Sequence, residues 1–145
     1  MEVFTIGFTR KNAETFFEKL KEARIQRLLD VRLHPASQLS AFAKSEDLAY
    51  FLRELCQIEY RHAPPLAPTQ ELLDSYRRQK TGWENYRTGF LELMLQRKVE
   101  HYYPHQFFEP RTVLLCSENS HQQCHRSLVL EYLLQQGYPL QVSHL

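Results

Sequence analysis

The chain has 145 residues, enough for one domain with its own core, and 43% apolar against 24% charged residues marks it as globular rather than disordered. A formal charge of +1 excludes binding of nucleic acid or membrane through net charge alone, while leaving room for a local basic patch. Membrane anchors, secretory signals and disulfide frameworks are not expected either. No run approaches the roughly 18 apolar residues that span a bilayer; Met1 to Gly7 lacks a basic stretch leading into an apolar one, and three cysteines suit a reducing cytoplasm.

The first signal along the chain is a β-rich run, Val3 to Ile6, closed by Gly7. Asn12 has the chemistry to cap a helix whose apolar positions Ala13, Phe16, Phe17, Leu20 and Ala23 keep the helical period. Leu28 to Val31 reads as a second strand, apolar enough to be buried on both faces. Strand, helix and strand within about 30 residues make a βαβ unit, so these two strands are expected to run parallel. Ser45 is the expected N-cap of a helix with Leu48, Phe51, Leu52, Leu55 and Cys56 on one face, and Ile58 to Tyr60 reads as a third strand. The prolines of Ala63 to Pro68 are expected to exclude regular structure.

Thr69 is placed to cap a short helix carrying Leu72, Leu73 and Tyr76, and a longer helix runs from Trp83 to Gln96 with Tyr86, Phe90, Leu93 and Met94 along one side. His101 to Pro110 is aromatic, proline-punctuated and irregular. Thr112 to Cys116 is the clearest strand. A helix follows from Cys124 to Gln136, with Leu128, Val129, Tyr132 and Leu133 inward and Gly137 at its C-cap, before Leu140 to His144 closes the sheet. These elements predict a single Rossmann-like α/β domain over residues 1–145, a mostly parallel sheet of about five strands with helices on both faces.

In an open parallel sheet, ligands sit outside the carboxyl ends of the strands. The residues just past the expected strand ends are Gly7 to Arg10, Asp30 to Arg32, Tyr60 to His62, and Cys116 to Glu118, all more polar than the strands feeding them. Cys124, His125 and Arg126 add the start of a helix to the same rim. Free N–H groups and the helix dipole there favour an anion, Arg126 offers a bidentate grip, and a cysteine gains thiolate character.

Each of these residues also has a plainer reading. Asp30 and Arg32 suit a structural ion pair. Cys116 suits a small buried residue, Cys56 belongs to the core, and Cys124 suits packing at a helix start. Cys116, His121, Cys124 and His125 are four potential zinc ligands close in sequence, but not at finger or ribbon spacing, so no metal site is assigned. A reversible Cys116–Cys124 disulfide is a further alternative. Between Tyr76 and Phe90, the basic Arg77, Arg78, Lys80 and Arg87 interleave with Tyr76, Trp83, Tyr86 and Phe90, a mixture suited to phosphates and stacked bases. The preferred reading of that region is a solvated helix face above a buried aromatic stripe.

Assembled in this way, the residues make the chain resemble the domain of unknown function 488 family nearly end to end. Thr5-Ile6-Gly7 is similar to that family's opening strand motif, and Leu29-Asp30-Val31-Arg32 with Pro35 and Ser37 to its second. Tyr60-Arg61-His62 falls where members often carry a tyrosine and a histidine, and Tyr86 and Phe90 where they carry an aromatic pair. The most specific likeness is Leu115-Cys116-Ser117-Glu118, then Cys124-His125-Arg126-Ser127, then Gly137 before a final strand. Two departures mark a divergent member: Phe8 and Thr9 replace a histidine and a serine, and Leu66-Ala67-Pro68 replaces a leucine and two glycines. The resemblance implies a Rossmann-like fold and a shared polar site, and no reaction.

The function expected from these residues is binding of a phosphate-bearing or other anionic small molecule such as a nucleotide, with catalysis left open. Arg32 and Arg126 would hold the anion, Asp30 or Glu118 would act as general base or ribose contact, and Cys124 as nucleophile. Gly7, Tyr60, His62, Cys116 and His125 would complete the ligand-facing rim. Four glycines leave no room for a Gly-rich phosphate loop, and Arg126 follows Cys124 too closely for a cysteine-phosphatase loop. The competing classes are a nucleic-acid-associated binding module using Tyr76 to Phe90, and a zinc- or redox-responsive protein. No cofactor and no oligomeric state follow from the sequence.

Overall fold

Five short segments pair side by side as parallel strands: β1 (Glu2–Gly7), β2 (Arg27–Asp30), β3 (Glu59–His62), β4 (Thr112–Cys116) and β5 (Gln141–His144). Their order across the sheet is β3-β2-β4-β1-β5 in the computed structural model, which describes residues 1–78, 82–118 and 121–145. The most apolar strand takes the centre. Every residue of β4 is buried, whereas the edge strands β3 and β5 are mostly exposed. β1 and β2 are parallel, as the βαβ pattern requires, but they are not neighbours, because β4 inserts between them and bonds to both. No local pattern encodes that insertion.

Alternation along the strands sorts side chains to two faces. Phe4, Ile6, Leu28, Val113 and Leu115 meet Phe16, Phe17 and Leu20 of α1 (Ala13–Glu22) and Leu48 of α2 (Ser45–Phe51), with Leu52 of the π-helical turn Leu52–Cys56. Val3, Leu29, Leu114 and Cys116 face the opposite layer. There they meet Phe90 and Met94 of α4 (Trp83–Arg97), Val99 of α5 (Val99–Tyr102), and Leu128, Val129 and Leu133 of α6 (His125–Gln135). α3 (Gln70–Arg77) packs its Leu72, Leu73 and Tyr76 on this second cluster. Each fully buried Leu, Ile or Phe contributes roughly 1.5–3 kcal/mol, so these two layers dominate stability. The arrangement is a Rossmann-like α/β fold. Among the described residues, no helix is long and apolar enough to cross a membrane.

Several element ends form as the sequence indicates. Asn12 Oδ1 accepts from Thr15 N at 2.8 Å, Thr69 Oγ1 accepts from Leu72 N at 3.1 Å, and Gly137 takes a φ of +85° just past α6. Ser45 does not cap α2. It is the first helical residue, Lys44 precedes it without a side-chain cap, and the Ser45 amide already donates to Pro35 O at 2.8 Å. The proline-rich loop is not wholly irregular either. Pro64–Leu66 makes a 3-10 turn, where proline's missing N–H costs nothing in the first turn. His101 to Pro110 likewise contains the end of α5 and a 3-10 turn, His105–Phe108.

Candidate functional site

The strand register aligns the carboxyl ends of the three central strands: Gly7 pairs with Cys116, and Asp30 with Leu115. Thr9 N then donates to Ser117 O at 3.2 Å, which ties the two central exits together. Beyond these ends lies a cleft of about 410 Å³. Phe8 and Thr9 enter it from β1, Arg32, His34, Ser37 and Ser40 from the β2 exit, and Cys116, Ser117 and Glu118 from β4. His125 at the start of α6 and Leu73 and Arg77 of α3 close the remaining sides. A smaller recess of about 50 Å³ shares Leu73, Arg77, Glu118 and His125 with the cleft and adds Cys124.

Asp30 and Arg32 form a buried, two-pronged ion pair. Arg32 Nε donates to Asp30 Oδ1 at 2.8 Å and Nη2 to Oδ2 at 2.7 Å, with Asp30 wholly buried and Arg32 4% exposed. Tyr60 OH also donates to Asp30 Oδ2 at 2.6 Å, and Arg32 Nη2 to Ala43 O at 2.7 Å. Burial, and then the neighbouring Asp30 carboxylate, push the Tyr60 phenol up. The expected strand-end pair is therefore present, and Asp30's two oxygens are occupied by Arg32 and Tyr60. Arg32 still borders the cleft, its guanidinium 5.3 Å from the Phe8 ring centre.

Two imidazoles hold the chain as it leaves β2. His125 Nε2 donates to Val31 O at 2.7 Å, and His62 Nε2 to Arg32 O at 2.8 Å. Each bond requires a proton on Nε2, since a carbonyl oxygen can only accept. Burial lowers the His125 pKa to about 4, helped by the positive charges of Arg126 and Arg77 and opposed by the Val31 carbonyl and Asp30. His125 is neutral at physiological pH. His62 and Tyr60 lie on the β3 edge, outside the cleft wall.

Gly7 answers to a close approach. A Cβ there would stand 1.4 Å from Glu118 O and 2.7 Å from Arg126 Nη1, so the chain after β4 folds directly over the glycine. Arg126, expected at the rim, is 1% exposed and turned beneath that chain. Its Nη1 donates to Glu118 O at 2.5 Å and lies 3.2 Å from Cys116 Sγ. Burial lowers its pKa to about 10, against the pull of the Glu118 carboxylate, so it stays cationic at neutral pH. Cys116 and Cys124 are 1% and 3% exposed, and their sulfur atoms meet. Cys124 is the N-cap residue of α6.

Tyr76, Trp83, Tyr86 and Phe90 form a continuous aromatic ladder with ring centres 5.0–6.2 Å apart, and Tyr86 and Phe90 are buried. Arg87 pairs with Glu131 across to α6, and Arg78 lies 3.8 Å from Asp74. Arg77 instead borders the cleft, while Lys80 lies outside the described residues. Among the described residues, no three His, Cys, Asp or Glu side chains converge where a metal could bind. His121 stacks on His144 with ring centres 3.6 Å apart.

Of the expected site residues, Arg32, Cys116, Glu118 and His125 reach the cleft, Cys124 its adjoining recess, and Gly7, Asp30 and Arg126 lie behind its wall. His34, Ser40, Leu73 and Arg77 are cleft residues that sequence reasoning did not assign to it. Arg77 stood out only as part of a basic and aromatic stretch, because nothing local shows that α3 leans over the strand ends. The family model described as Domain of unknown function DUF488 matches residues 12–133. That span begins after β1 and ends before β5, so the departures at Phe8 and Thr9 fall outside it. No curated protein and no solved structure matches the chain.

Proposed function

The chain belongs to the DUF488 family, whose name carries no reaction, and we propose from the cleft itself that the protein binds a small molecule bearing a phosphate or another anionic group. The observation that carries this reading is the Arg77 guanidinium on the wall of a cleft lined with hydroxyl side chains. Arg32, His34, Arg77 and His125 face one carboxylate, Glu118, across a space of about 410 Å³, a volume in the range of small-molecule sites. Arg32 is largely neutralised by Asp30 and His125 is uncharged, so Arg77 supplies the cationic contact. Thr9, Ser37 and Ser117 offer hydroxyls for the remaining anion oxygens, and Phe8, Leu33 and Leu73 an apolar wall for the body of the ligand.

In this reading the groups around the cleft wall position rather than react. Asp30 fixes Arg32, His125 and His62 fix the β2 exit, and Arg126 fixes the Glu118 carbonyl. Any proton transfer in the cleft falls to Glu118 or His34 rather than to His125. A His125 with a pKa of about 4 is a weak base at neutral pH.

A thermal-shift screen against nucleotides, sugar phosphates and inorganic phosphate tests the reading. Arg77→Gln is the paired variant, because Arg77 is exposed and its loss leaves the core untouched. A stabilising anion whose effect falls at least several-fold in Arg77→Gln is the expected result. No stabilisation by any anion, or one indifferent to Arg77→Gln, would count against it.

A further inference from the structure

Two sulfur atoms meeting in the wall of a cleft, with a buried guanidinium beside one of them, make a different kind of site from an anion pocket. Cys116, though 1% exposed, borders the main cleft of about 410 Å³, the space a small molecule would enter, and Cys124 lies behind it at the recess of about 50 Å³. Arg126 Nη1, 3.2 Å from Cys116 Sγ, is a fixed cationic donor aimed at that sulfur. Such a contact stabilises a thiolate, the form of cysteine that attacks disulfides. The Cys124 sulfur is already in contact with Cys116, and the α6 N-terminus, where Cys124 holds the N-cap position, favours negative charge. Cys56, in contrast, sits on the other layer of the fold, where burial raises its pKa.

We propose that Cys116 and Cys124 are a redox-active dithiol that reduces the disulfide of a low-molecular-weight thiol entering the cleft. The Cys116 thiolate attacks one sulfur of that disulfide. The substrate S–S bond breaks, a mixed disulfide forms on Cys116, and the first small thiol leaves with a proton from solvent. Cys124, as thiolate, then attacks the Cys116 sulfur and expels the second thiol, which also takes a proton. The protein has lost two electrons and gained a Cys116–Cys124 bond, and the substrate has become two thiols. An external dithiol reverses the protein's half of the exchange. Because Ser117 and Glu118 follow Cys116 directly and line the cleft, the redox state of the pair also acts on the cleft wall. This site stands independently of the anion reading, since it uses no contact with Arg77.

Incubating the reduced full chain with excess oxidised glutathione, followed by alkylation, intact-mass measurement and peptide mapping, tests the assignment. The wild-type chain should release two equivalents of glutathione, hold no stable adduct, and yield a linked Cys116–Cys124 peptide while Cys56 remains alkylatable. Cys124→Ser should trap one glutathione on Cys116 at a rate at least ten-fold above that of Cys56. Cys116→Ser should take up none beyond the Cys56 background. The proposal is overturned if all three wild-type cysteines stay alkylatable after exposure, or if Cys56 reacts as fast as Cys116. An adduct carried on Cys124 in Cys116→Ser would overturn the assignment of the attacking sulfur. The wild-type measurement needs no variant to fold, so each result bears on the pair itself.

Discussion

Gly7 shows most sharply how one residue shapes the site. The space for its missing side chain is filled by the Glu118 carbonyl, a backbone group that cannot swing away. Gly7→Ala should therefore cost at least about 1–3 kcal/mol, the range for overpacking a tight site, read as a shifted urea midpoint. Asp30→Asn leaves the Arg32 charge buried without its counter-ion, and breaking such a pair costs about 3–5 kcal/mol. Tyr60→Phe removes only a hydrogen bond to the same carboxylate and should cost about 1 kcal/mol. A ranking in which Tyr60→Phe is the more harmful would contradict this account of the pair. His125 makes a pH-dependent contribution. Its folded pKa of about 4 lies below the ordinary 6.5, so as pH falls the unfolded chain takes up the proton first. Stability should fall between pH 6.5 and 4, by on the order of 3 kcal/mol from this group. Urea melts of wild type and His125→Gln across that window should differ in slope, and equal slopes would exclude His125 as a source.

At the scale of elements, caps carry separable predictions. Asn12→Ala and Thr69→Ala each remove one side-chain bond to a helix N-terminus and should each cost about 1 kcal/mol. Only Thr69→Ala should also weaken cleft binding, because α3 carries Leu73 and Arg77 over the strand ends and α1 carries nothing there. Elements were legible wherever the signal was local. Thr112 to Cys116 is apolar from Val113 onward and forms β4 with those bounds, and the spacing of Phe16, Phe17 and Leu20 does place one face of α1 in the core. Ser45 misled because its amide is satisfied by Pro35 from outside the helix, and the Pro64–Leu66 turn was hidden by residues that ordinarily break structure.

At the scale of the molecule, the sequence conveyed the parallel class and the polarity of the strand ends, but not the insertion of β4 between β1 and β2. That insertion brings Cys116 to Glu118 between Gly7 and Arg32, and so creates the cleft. Strand order is set by which apolar faces the two helical layers bury together, a sum over both clusters that no single segment records. The same global placement turned Arg126, expected at the rim, inward and brought Arg77, read as part of a solvated helix face, to the cleft. Whether this cleft holds an anionic small molecule is tested most directly by a backbone-amide NMR titration with adenosine monophosphate as probe. Anion binding in the cleft should give saturable shifts centred on Thr9, His34, Arg77 and Ser117 that disappear in Arg77→Gln. Shifts confined to α4 or to the β5 edge, or unchanged in that variant, would contradict it.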